Sequence, residues 1–205
     1  MSSVNLWYAT RATGIVALVL LTVTTSLGIL TAGRVKSTLP AFARADIHRR
    51  ISALTAVFLA IHVLTSVLDS YVHIGWLSIV VPFTSSYHTF WLAFGTIAVD
   101  LFLAVAITSV LRRHISARTW RAVHWLAYLS WPVAVAHGLA MGTDTKLNWV
   151  LGLVAACIAS VLGLTAWRIY DMARARDRLP RTINVPRWSI RSDPRVNATT
   201  REARS

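Results

Sequence analysis

The sequence predicts an all-α integral membrane protein: a bundle of five transmembrane helices, N-terminus outside and C-terminus in the cytoplasm. Three observations lead there. Of 205 residues, 55% are hydrophobic and 14% are charged, too few charges for an ordinary soluble surface. Apolar runs of about 20 residues recur, the length needed to cross a hydrocarbon core of roughly 30 Å. The 21 Lys and Arg outnumber the 8 Asp and Glu and gather in alternate connections between those runs, the pattern of cytoplasmic loops.

Five segments are long enough, at residues 13–32, 47–69, 91–111, 120–141 and 148–170. Each is expected to be helical, since an isolated strand would leave backbone groups unpaired in lipid. The first is preceded by Arg11 and followed by a connection carrying Arg34, Lys36, Arg44, Arg49 and Arg50, which is placed inside. The second carries His48 and His62. The 70–90 connection, SYVHIGWLSIVVPFTSSYHTF, is apolar but too short and Pro-interrupted to span. It is expected at the outer interface, where Tyr71, Trp76 and Tyr87 suit the headgroup layer.

The third segment holds Asp100 near its middle. An intramembrane carboxylate points either to proton uptake or to a bond with a hydroxyl on a neighbouring helix. Arg112, Arg113, Arg118 and Arg121 follow on the inner side. The fourth segment contains VHWLAYLSWPVAVAHG, with His124 and His137 on either side of Pro132. The fifth holds the single cysteine, Cys157, which excludes a disulfide framework or a cysteine-based metal site. Residues 171–205 are an Arg-rich tail, expected to be disordered or surface-bound. It reads either as an anchor on anionic lipid or as a docking site for a soluble partner. No Ser/His/Asp triad, His-Glu metal motif or phosphate loop occurs, so classical hydrolase and kinase chemistry is excluded.

Of seven histidines, four lie within predicted spans. The second and fourth helices run in the same direction, and their histidines are 14 and 13 residues apart, about 21 and 19.5 Å at about 1.5 Å per residue. His48 and His124 then face one another near the cytoplasmic side, with His62 and His137 deeper, toward the outside. Two facing imidazole pairs at matched depths suit two six-coordinate haems stacked across a membrane. Small residues, Ser52 and Thr55 on one helix and Ala127, Ser130 and Ala134 on the other, leave room for a macrocycle. Arg49, Arg50 and Arg121 flank the inner pair and Arg11 the outer, placed for haem carboxylates. Trp125 and Trp131 are candidates to pack on the rings. His73 and His88 read as interfacial or as ligands for an outer metal or acceptor, and His114 as part of the basic inner surface. A spacing of 13 is nearly half a turn out of phase, so Pro132 is expected to kink or rewind its helix.

The stretches IHRRISALTAVFLAIH and WRAVHWLAYLSWPVAVAHG resemble the ferric-reductase-like transmembrane domain. That domain is shared by ferric reductases, NADPH oxidases and the haem subunit of the bacterial methionine sulfoxide reductase system. The resemblance implies a haem domain over residues 1–170 in the cell (plasma) membrane, with two haem b. His48 and His124 would ligate the inner iron, and His62 and His137 the outer one. It implies electron transfer from the cytoplasm to an outer-face acceptor such as Fe(III), a quinone or a redox protein. The family's oxidases add a sixth span and cytoplasmic flavin and nicotinamide domains. This sequence shows five spans and no G-x-G-x-x-G in its tail, so a separate flavoprotein or a quinol is the expected donor. Those oxidases also carry a further histidine where this chain has Ser66, which argues against dedicated superoxide production. The alternative is a haem-free assembly factor or transporter subunit whose histidines bond helices together or handle protons.

Overall fold

A computed structural model describes residues 3–32, 40–69, 72, 74–142 and 147–177. Arg34, Lys36, Tyr71, His73, Lys146 and the tail from residue 178 onward lie outside the described residues. The chain divides into two compact units, Met1–Arg168 and Ile169–Ser205.

Among the described residues the regular structure is helical throughout: α1 Ser3–Ala32, α2 Ala41–Leu68, α3 Thr89–Val110, α4 Ala117–His124, α5 Ala127–Met141 and α6 Asn148–Asp177. Four helical stretches are long and apolar enough to cross a membrane: Val4–Thr31, Ala41–Leu68, Thr89–Arg113 and Asn148–Arg174. α6 stays helical through residues 171–177, the start of the segment read as tail. There Arg174 lies over the Tyr170 ring at 4.5 Å.

The expected fourth span departs from a single rod. It is divided at Trp125–Leu126 into α4 and α5, and α5 has 15 residues, about 22 Å of rise against a core of roughly 30 Å. Pro132 cannot donate to the Tyr128 carbonyl, which weakens the helix on its N-terminal side. Upstream of that turn the backbone tightens into i→i+3 bonds, Leu126 to Val123, Tyr128 to Trp125 and Leu129 to Leu126, before α-helical bonding resumes from Ser130 to Leu126. Ser116 starts α4 by accepting the Thr119 amide on its hydroxyl at 3.1 Å, a side chain suited to that position.

In the first unit α1 packs along α2, α3 along α5, and α1 also meets α5. α2 and α5, which carry His62 and His137, do not form a packed pair. Small polar side chains join the neighbours, as expected where lipid gives no hydrophobic drive to helix association. Ser130 donates to the Ala98 carbonyl at 3.0 Å, Trp131 Nε1 donates to Thr22 at 3.0 Å, and Thr24 meets Thr55 at 3.3 Å. Ile29, Trp131, Val135, Val154 and Val161 form an apolar core where α1, α5 and α6 meet. The connection before α3 holds a short 3₁₀ turn, Trp76–Ile79, tied down by a bond from the Thr96 hydroxyl to the Ser78 carbonyl at 2.7 Å.

Candidate functional site

The four histidines come together as two pairs. The rings of His48 and His124 have centroids 6.3 Å apart at 65° to one another. An imidazole nitrogen binds a transition metal at about 2.0–2.1 Å, with the ring centre about 1.1 Å further back, so two rings across one metal have centres about 6.3 Å apart. His62 and His137 both line one cavity of about 310 Å³ between α1, α2, α3 and α5. That volume falls in the range of small-molecule sites. Part of the half-turn mismatch of the 13-residue spacing is taken up at the α4–α5 break, where three i→i+3 bonds occur. Residues wound at about 120° rather than 100° each advance His137 toward the face of His124.

Each ring of the His62–His137 pair is seated by the same device. Nδ1 of His62 donates to the Thr10 carbonyl on α1 at 2.8 Å, and Nδ1 of His137 donates to the Trp91 carbonyl on α3 at 2.9 Å. A carbonyl only accepts, so the proton sits on Nδ1 and Nε2 keeps its lone pair. Glycine makes both approaches possible. A Cβ at Gly14 would lie 2.9 Å from His62 Cε1, and one at Gly95 would lie 2.6 Å from His137 Cε1. Gly28 repeats the arrangement loosely beside His48, where a Cβ would sit 3.7 Å from Cε1. His48 lies against the Thr24 backbone, yet its Nδ1 makes no hydrogen bond of acceptable geometry.

His124 is held differently. Its ring stacks on Trp120 at 4.7 Å and 24°, and the Arg112 guanidinium lies 4.3 Å over the other ring of that stack, Trp120. Its Nδ1 is buried without a partner.

The arginines separate into distinct roles. Arg49 and Arg50 both clasp Asp46 on their own helix at 2.6 Å with largely exposed side chains, and Arg121 is exposed as well. Arg11 lines the cavity with its guanidinium 3.9 Å over Trp7. Arg44, one turn before His48, was not singled out in the sequence; its Nε is buried with no hydrogen-bond partner. Trp125 is 67% exposed and Trp131 lies in the apolar core, so neither expected ring-packing tryptophan lines the cavity. Asp100 is half-buried outside the cavity lining, with no hydroxyl bonded to it among the described residues. His88 is exposed and adopts a left-handed backbone at the start of α3. Ser66 lines the cavity and donates to the His62 carbonyl at 2.7 Å.

Sequence reasoning missed Gly14, Gly28, Gly95, Trp120, Arg112 and Arg44. One signal was present: Gly14 and Gly28 are separated by the same interval as His48 and His62, the complementary pattern on an antiparallel neighbour.

The donor set fits a haem. Among the described residues no three His, Cys, Asp or Glu side chains gather at one point. Two imidazoles fall short of the usual zinc shell of four ligands but match the two axial positions of a macrocycle that brings its own equatorial nitrogens. The Thr10 hydroxyl, buried without a hydrogen-bond partner, belongs to a residue that lines the same cavity. Comparison with family models, with curated proteins and with solved structures returns no match.

Proposed function

We propose that the chain is a b-type membrane cytochrome of the ferric-reductase-like kind. It carries electrons from a cytoplasmic flavoprotein or quinol through two bis-histidine haems to an outer-face acceptor: Fe(III), a quinone or a redox protein. In this reading α4 and α5 together make the fifth crossing, the N-terminus lies outside, and the C-terminus lies in the cytoplasm at the plasma membrane. The observation that carries it is the His62–His137 pair. Two rings on helices that do not pack together line one cavity, each turned by a backbone carbonyl so that Nε2 is free to ligate.

Each residue has a stated part. His62 and His137 hold the outer iron, and His48 and His124 the inner one. Bound there, haem supplies a one-electron iron couple. Arg11 and Arg44 neutralise carboxylates reaching the two ends of the bundle. Arg49, Arg50 and Arg121 remain on the basic inner surface, where an acidic donor protein would be steered. The apolar walls, Leu18, Leu21 and Leu59 among them, exclude water.

The second reading, a haem-free assembly factor or transporter subunit, draws on the same two cross-helix bonds, which would equally join helices in a membrane. It leaves the facing of the His48 and His124 rings, 6.3 Å apart, unexplained. A dithionite-reduced minus air-oxidised spectrum of the purified protein, with haem quantified as the pyridine adduct, separates the two. A sharp b-type α band with two haems per chain is expected. Absence of a Soret band after expression with ample haem supply overturns the cytochrome reading.

A further inference from the structure

A helix carbonyl points toward the C-terminus, into the space beside the residue four positions on, and one of its two lone pairs is already taken by that residue's amide. Whether a group from another helix reaches the second lone pair depends on the side chain there. Thr10 is followed four residues later by Gly14, and Trp91 by Gly95. On two different helices, the carbonyl that receives a histidine is the one whose roof is missing.

We infer that Gly14 and Gly95 are positioning residues. They admit His62 and His137 to the Thr10 and Trp91 carbonyls, and in doing so they make this pair the lower-potential of the two iron positions. The inference rests on the cytochrome reading above. A ring that gives its Nδ1 proton to a carbonyl becomes a more basic ligand at Nε2, and a more basic ligand favours the oxidised, more positive metal. The His62 and His137 bonds, at 2.8 and 2.9 Å, both act this way.

The His48–His124 pair has less of such support. His48 lies against the Thr24 backbone beside the looser notch at Gly28, without a well-formed bond at Nδ1, and Nδ1 of His124 has no hydrogen-bond partner. The position on α3 that continues the 13-residue interval from Gly95 is Thr108, whose hydroxyl is turned back to the Ala104 carbonyl at 2.7 Å. The Arg112 charge beyond Trp120 disfavours a more positive metal at His124. Arg11 lines the His62–His137 cavity, so a cation attends both pairs, and the less supported donors are what raise the potential at this pair relative to the other.

The test is a potentiometric titration of the purified full-length protein, followed optically at the haem bands. His137→Gly supplied with imidazole is compared with the same variant supplied with 1-methylimidazole, which ligates but has no N–H to give the Trp91 carbonyl. The lower-potential component is expected to rise with 1-methylimidazole while the upper component stays put. Gly14→Ala and Gly95→Ala are read beside Gly152→Ala, a control whose Cβ meets nothing within 4 Å. Each of the first two should raise the lower component or selectively lose that haem, with the control unchanged.

Two haems with potentials that ignore both the added base and the two glycine substitutions overturn the inference and leave the cytochrome reading standing. If His137→Gly takes up neither base, the glycine variants decide alone by the same criterion. A wild-type protein without haem overturns the cytochrome reading itself, and the positioning role falls with it.

Discussion

His62 and His137 sit in glycine-lined notches, each bonded to a carbonyl of the neighbouring helix. His48 and His124 meet across 6.3 Å, one ring against the Thr24 backbone and loosely beside Gly28, the other stacked on Trp120 with its Nδ1 unbonded. The first pair is preorganised by backbone carbonyls, reached only because no Cβ stands at Gly14 or Gly95. The second is held by packing and is the more adjustable. Identical ligand types can therefore occupy two sites of different stiffness and basicity, set by helix–helix distance.

The largest effect expected from breaking this comparison is at the ligands. His62→Ala should halve the haem-to-protein ratio and leave the inner-haem absorption intact, while retention of both haems would break the ligand assignment. Next come the glycines. Gly95→Ala forces a Cβ to 2.6 Å from His137, whereas Gly28→Ala places one at an ordinary 3.7 Å from His48. The first should cost about 1–3 kcal/mol as overpacking does and the second far less. Thermal or SDS unfolding of the two variants in detergent measures the difference, and equal losses would mean the notches are not tight.

Smaller effects should follow at the inner end. Arg44→Gln, which alters the arginine with a buried partnerless Nε, should reduce inner-haem occupancy or shift its potential. Arg49→Gln, which removes an exposed contact to Asp46, should change stability by no more than about 0.5 kcal/mol and leave haem content alone. The opposite ranking would restore the expectation drawn from sequence, in which Arg49 and Arg50 serve the haem. Ser130→Ala tests the scaffold between the pairs. Loss of its bond to Ala98 should cost about 0.6 kcal/mol, typical of a cross-helix bond in membrane, with both haems retained.

Much of the arrangement was legible in the chain. Four of the five expected spans correspond to helices long and apolar enough to cross a membrane, because hydrophobic length is a one-dimensional property. The 14-residue interval between His48 and His62 is close to a whole number of turns and placed both on one face of an unbroken helix. The 13-residue interval announced a defect, and Pro132 marked its neighbourhood. The break itself fell at Trp125–Leu126, nearly two turns upstream of the proline, which lies inside α5.

The arginines and tryptophans were less legible. At a helix end, Arg44, Arg49 and Arg50 project on different sides within two turns. Only the local ion pair with Asp46 reveals which of them are occupied on their own helix. Trp131 stands beside small residues in the sequence and suggested contact with a macrocycle, yet its indole reaches Thr22 on α1.

What the sequence determined by itself was the material: apolar lengths, basic connections, and histidines spaced to recur at two depths, all set by the fixed pitch of a helix. What only the tertiary structure decided was how each ring is held. A carbonyl is identical at every residue, so its reach to His62 or His137 depends on which helix lies alongside, at what height, and whether glycine stands there. Those are relations between segments far apart in the chain, and they exist only once α1 has packed on α2 and α3 on α5.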